Sequence, residues 1–143
     1  MSKSNAHESA ILALEFNGTS IAGLAVDDTG TPDTEVDIAL HTADPGEAGS
    51  ATTSEATYTG YARATTDRAS GAGGWTVASG SAENASEIVF DPCTAGSNTI
   101  THFSAVRPGT DTIRRYGELT APLEVSAGIT PRFAAGTLVF TED

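Results

Sequence analysis

One residue restricts this chain more than any other: Trp75, its only tryptophan, which lies in a run from Gly60 to Ala85 built mostly of small and polar residues. Period-two alternation puts Tyr61, Arg63 and Thr65 on one face of a strand and Ala62, Ala64 and Thr66 on the other. Trp75 and Val77 share a face of a second strand. Between the two, Ser70-Gly71-Ala72-Gly73-Gly74 supplies glycine wherever a reversal needs positive φ, so a hairpin is expected. A hairpin alone is not stable in water, and other strands must lay a second layer over the indole. Tyr58, Tyr61, Trp75 and Tyr116 would also suit a sugar-stacking platform, but one tryptophan buried between two sheets is the simpler account.

The rest of the chain supplies those strands. At 143 residues it is long enough for one domain with its own core, and its 15 glycines and many Thr, Ser and Ala favour short strands and turns over long helices. The one helix expected runs from Ala6 to Phe16, capped by Ser4 or Asn5 and stopped at Asn17-Gly18. Its apolar stripe is Ala10, Ile11 and Leu14, with His7, and Ile11, Leu14 and Phe16 dock on this chain's own sheet or on a neighbour. Ile21 to Val26 is ambiguous between strand and loop, and Asp27 to Thr34 is rich in turn residues. Strands are expected at Glu35–Leu40, Ala85–Asp91, Thr99–Val106, where the register stays open because Ile100 and His102 oppose Phe103 and Ala105 only if a bulge intervenes, Thr112–Leu119, Ala121–Val125 at an edge, and Pro131–Thr141. His41 to Thr57 forms a loop long enough to suggest function. The expected fold is all-β: a two-sheet antiparallel sandwich, jelly-roll-like, with a short N-terminal helix. Residues 1–34 form the helix and connecting arm and 35–143 the β-sandwich, one domain overall.

Charge and motifs narrow the chemistry. Nineteen acidic residues against seven basic ones leave a net charge of −12, which argues against nucleic acid as a partner. Ala10-Ile11-Leu12-Ala13-Leu14 is too short to span a membrane and is bracketed by Glu8 and Glu15, so a soluble protein without a secretory route is expected. Cys93 is alone and reads as a small core hydrophobe. His7, His41 and His102 are scattered, no nucleophile elbow, phosphate loop or zinc motif is present, and no enzyme, cofactor or metal is expected. Asp27, Asp28, Asp44, Glu47 and Glu55 could gather calcium through loop oxygens, but solvated acidic loops explain them better. On so acidic a chain Arg63, Arg68, Arg107, Arg114 and Arg115 are either paired internally or aimed at an acidic partner, and internal pairing is favoured.

Several runs bear a resemblance. Leu40-His41-Thr42-Ala43-Asp44-Pro45-Gly46-Glu47-Ala48-Gly49, Glu55-Ala56-Thr57-Tyr58-Thr59-Gly60-Tyr61-Ala62-Arg63, Gly74-Trp75-Thr76-Val77, Ile100-Thr101-His102-Phe103, Leu119-Thr120-Ala121-Pro122-Leu123 and Gly128-Ile129-Thr130-Pro131-Arg132-Phe133-Ala134-Ala135-Gly136 resemble small virion proteins of tailed bacteriophages, often labelled tail fibre protein. The resemblance covers residues 35–142. It implies a structural role in the particle and a jelly-roll-like sandwich of the capsid cement or decoration kind. The chain is short for a trimeric fibre shaft plus a receptor tip and lacks heptads, so a head position is expected. There it would bind the outer capsid shell at capsomer junctions as a dimer or trimer, touching the major capsid protein. The candidate interface is Ile11, Leu14, Phe16, His41, Asp44, Glu47, Glu55, Tyr58, Arg63, Arg68, Arg107, Arg114 and Arg115. The alternative is a tail-fibre or baseplate-associated receptor- or carbohydrate-binding module, with Tyr58, Tyr61 and Tyr116 as its stacking surface.

Overall fold

A computed structural model describes residues 4–21 and 32–142. The expectations for Ala22 to Val26, for most of the Asp27–Thr34 connection and for Asp27 and Asp28 as ligands lie outside the described residues. Helix α1 spans Asn5–Asn17. The Ser4 hydroxyl accepts from the His7 N–H at its start, Glu8 lies in the first turn, and Gly18 ends it at φ 67°, a left-handed conformation open to glycine at no steric cost.

Nine strands follow in the described residues: β1 (Glu35–His41), β2 (Ala64–Asp67), β3 (Trp75–Ala78), β4 (Ser81–Asn84), β5 (Ile88–Val89), β6 (Ser97–Val106), β7 (Ile113–Ser126), β8 (Arg132–Phe133) and β9 (Val139–Thr141). They make a mostly β, antiparallel, two-layer sandwich. One layer is the sheet β2-β1-β6-β7; facing it are β3-β4-β9 and the pair β5-β8. Inward positions of the first layer are Val36, Ile38 and Leu40, as alternation requires, together with Ile100, Phe103 and Ala105 of β6. From the other layer Trp75, Ala82, Ile88, Leu138 and Phe140 close the core.

The expected hairpin around the glycine-rich turn does not form. Trp75 is buried as expected, its indole Nε1–H donating to Oγ1 of the buried Thr66 at 3.2 Å, but β2 pairs with β1 and β3 with β4. Residues 68–74 carry the chain from one layer to the other, which is how the tryptophan comes to lie between sheets. The true hairpin is β3-β4. Its two-residue turn, Ser79-Gly80, has both φ positive (51° and 75°), the primed geometry that matches strand twist. The Gly80 N–H also donates to Ser9 Oγ at 3.0 Å, tying the turn to α1.

Three further expectations change. The two strands expected at Thr112–Leu119 and Ala121–Val125 are one, β7, kept continuous by a bulge in which Leu119 to Pro122 oppose Thr101 alone, so the proline interrupts no ladder bond. The expected strand Pro131–Thr141 divides into β8 and β9, which join different partners. Asn84 fixes that break: its buried side-chain amide donates to the Ala134 and Ser86 carbonyls and accepts from the Leu138 N–H. Third, the helix docks through Leu12 and Phe16, not through Ile11 and Leu14. Leu12 is fully buried, Phe16 is 1% exposed and Leu14 is 41% exposed. Phe16 sets this rotation by packing 4.7 Å from Trp75 and 5.1 Å from Phe140, ring centroid to centroid. Truncating Phe16 to Ala is therefore expected to cost about 3–5 kcal/mol, and Leu14→Ala about 0.5 kcal/mol or less, measured by urea unfolding.

Candidate functional site

Two polar assemblies hold most of the residues that sequence marks as candidates for contact. The first binds the long loop after β1 to the outer face of the first sheet. Ala39 and Val106 on that face pack with Ala51 of the loop and Ile113. The Ala51 N–H donates to the Asp111 carbonyl at 2.9 Å and the Ala56 N–H to the Leu40 carbonyl at 2.8 Å. His41, expected at a surface, is fully buried because the loop covers it. Its Nδ1–H donates to the Thr53 carbonyl at 2.9 Å, which leaves Nε2 to accept from the Ser104 hydroxyl at 2.8 Å.

Glu55 closes the loop. It takes Arg63 in a two-pronged pair (Nε to Oε1 2.7 Å, Nη2 to Oε2 3.0 Å) and accepts the Tyr61 hydroxyl at 3.0 Å. Arg63 also donates to the Thr110 carbonyl and to Asp111, both at 2.8 Å, so one guanidinium joins the loop to the β6–β7 turn. The Tyr61 hydroxyl in turn accepts the Leu40 N–H at 3.0 Å. Burial, with the Glu55 carboxylate beside it, pushes the Tyr61 phenol above its ordinary range. Tyr58 is buried too, its hydroxyl donating to the Asp91 carbonyl at 3.0 Å, and its ring meets Tyr61 edge-on at 5.3 Å. Of the three tyrosines that the alternative reading uses for stacking, Tyr58 is inside and Tyr61 and Tyr116 are half-buried. Of the loop candidates only Asp44 and Glu47 are exposed, and Asp44 accepts the Gly46 N–H in a local turn. Asp44, Glu47 and Glu55 do not converge, and no group of three or more metal-ligating side chains occurs among the described residues.

The second assembly anchors the end of α1. Arg68 donates to the carbonyls of Leu14, Glu15 and Asp33, serving the orphan acceptors of the last helical turn, where cations are favoured. Asp33 takes Arg114 at 2.6 Å and Arg107 at 3.1 Å. Arg115 binds Glu15 at 2.6 Å and also Glu142. The arginines are thus spent inside the molecule, the outcome that internal pairing anticipates. Phe16 is core, Ile11 is half-buried, and Leu14 alone of the helix candidates is exposed. Sequence reading passed over Asp33, Asp111 and Glu142 as partners and Leu12 as core. Each meets its counterpart only across a distance in sequence that periodicity does not register. Cys93 is buried, its thiol directed at the Ala95 and Gly96 carbonyls.

Comparison with known proteins gives one clear result. The profile of a family described as Podophage GP4 fiber I protein gp80 matches residues 2–141. A comparison with curated proteins finds no match.

Two measurements check this geometry. Arg63→Ala is expected to cost about 2–3 kcal/mol by removing charge-assisted hydrogen bonds from a half-buried Glu55, and to speed proteolysis within residues 42–63. Burial lowers the His41 pKa from 6.5, with the Thr53 carbonyl and Glu55 opposing and His102 and Arg63 adding to the effect. The unfolded chain then takes up its proton first. The contribution of His41 is complete above pH 6.5 and is lost as pH falls through 6.5 towards the lower folded value. A melting-temperature series is expected to show that fall, flattened in His41→Gln.

Proposed function

Because the chain belongs to the podophage GP4 fiber I protein gp80 family, and so is a structural protein of a phage virion, we propose that it serves in the tail-fibre apparatus as a passive assembly subunit. It works through contact between folded surfaces and carries out no chemical turnover. The observation that carries this reading, beside the family, is the internal engagement of its polar groups. His41, Glu55, Tyr61, Arg63, Arg68, Arg114 and Arg115 each bond to another part of the same chain. Such groups tie loops and helix to the sandwich, and a rigid sandwich is what a load-bearing joint requires. The buried Tyr58 and half-buried Tyr61 speak against a sugar-binding tip built on those tyrosines.

Capsid decoration is the second reading, and the compactness of the described chain fits it equally. A single sandwich with one helix, without heptads or repeats, suits a body added to a shell as well as one added to a tail. In that reading the contacts are with the major capsid protein and with sister copies. Quantitative mass spectrometry of purified virions, with antibody labelling in electron micrographs, separates the two. The fibre reading expects a copy number matching other tail proteins and label at the tail. A copy number near that of the major capsid protein, with label over the head, would replace it by the decoration reading. The purified protein is expected to give no turnover on a panel of glycoside and ester substrates.

A further inference from the structure

The sandwich is unequally closed along its edges. β7 is the outermost strand of its sheet and β9 the outermost strand of the facing sheet, so each has one edge without a strand partner among the described residues. The two edges face each other, held at one end where Arg115 Nη1 donates to the Thr141 carbonyl at 3.2 Å and its Nη2 to the Glu142 carboxylate. No described residue fills the gap between them. Two adjoining hollows of about 460 and 320 Å³ run along it, both bordered by Val139. The larger is lined by Pro122 and by Phe103, Leu119, Leu123 and Phe133, the last four continuous with the main core.

The backbone on this side is available for pairing. The Glu142 N–H donates to the Gly80 carbonyl and the Asn84 N–H to the Leu138 carbonyl, so even-numbered positions of β9 turn their peptide groups to β4. By the alternation of an antiparallel ladder, Val139 and Thr141 turn theirs outward into the seam. Only the Thr141 carbonyl has a partner there among the described residues, Arg115. Opposite, the bulge withdraws Leu119 to Pro122 from pairing with β6 and widens the seam at its apolar end. Val139 is 41% exposed, an uncapped edge of the kind that natural sheets usually blunt with lysine.

We propose that the seam between β7 and β9 accepts an extended segment of another virion protein, apolar at alternate positions and flanked by lysine or arginine, which pairs with the β9 edge and covers the opening to the core. The proposal rests on the reading of this chain as a virion structural protein. Charge selects the partner over a second copy. All six arginines already face carboxylates or carbonyls of their own chain, and Lys3 lies outside the described residues. On a chain of net charge −12, Glu118 on the lip of the seam and Glu83 opposite Val139 in the sheet are therefore matched by an incoming cation, not by a like copy.

The test uses phage particles carrying the full-length chain with Val139→p-benzoylphenylalanine, irradiated and digested. The expected product joins position 139 to a different virion protein, at a segment with alternating apolar residues and a basic residue within a few positions. Cross-links to a second copy, or none in assembled particles, overturn the proposal. A second arm asks whether Val139→Lys, which caps the edge and repels a cationic segment, lowers incorporation at least tenfold while the purified variant keeps its melting temperature. Val89→Lys, on an exposed β5 position outside the seam, is the control and is expected to incorporate normally. Normal incorporation of a folded Val139→Lys overturns the proposal, and a Val139→Lys that does not fold leaves the cross-link to decide. Label over the head with the expected cross-link removes the fibre reading alone.

Discussion

The packing of four aromatic rings holds this molecule together, and its centre is Phe140. Its ring lies 5.1 Å from Phe16 of the helix, 5.6 Å from Trp75 of its own layer and 5.2 Å from Phe103 of the facing layer. A residue near the end of the chain thus joins the N-terminal helix to both sheets. Rings at these separations contribute about 0.5–1.5 kcal/mol per pair beyond the area they bury. Their larger effect is cooperative, since removing Phe140 leaves Phe16 and Trp75 in contact but takes from Phe103 of the facing layer its ring partner in the cluster.

Around that cluster the charged residues act as fasteners. The arginines of an acidic chain find carboxylates or carbonyls within it, and each guanidinium ties together segments remote in sequence: Arg63 the loop and the β6–β7 turn, Arg68 the helix end and Asp33, Arg115 the helix and the C-terminal strand region. Half-buried multidentate pairs of this kind contribute more than exposed ones, because water competes less for the same donors. What remains outside is mostly carboxylate, hydroxyl and a few apolar side chains. A surface of that composition discourages indiscriminate association.

Much of this was legible in the sequence, and the failures share a cause. The stop at Gly18, the cap at Ser4, one of the two residues that sequence offers for it, and the inward set Val36, Ile38 and Leu40 follow from local rules, and local rules were sufficient. The burial of Trp75 was also readable, but its role was misplaced: the glycines after β2 change layers because β2 already has β1 as its partner, a fact no window around Trp75 contains. Leu12 was missed because the helix carries apolar residues on two faces, and only Trp75 and Phe140 decide which one turns inward. His41 and Tyr58 looked available for contact because the loop reads as polar, yet the loop, with Ala51 packed on Ala39 and Val106, covers His41, while Tyr58 enters the main core. The pairing of Asp33 with Arg114, 81 residues apart, leaves no periodic trace at all.

The central claim is that helix and both layers form one cooperative unit through the Phe140 cluster. Native-state hydrogen exchange tests it directly. Amides in the middle of α1, in β1 and in β9 are expected to become exchangeable together, at the free energy of global unfolding and with the same dependence on denaturant. Exchange of α1 by a separate opening of much lower free energy, with β1 and β9 still protected, would contradict the account: the helix would then be an appendage on a sandwich that holds without it.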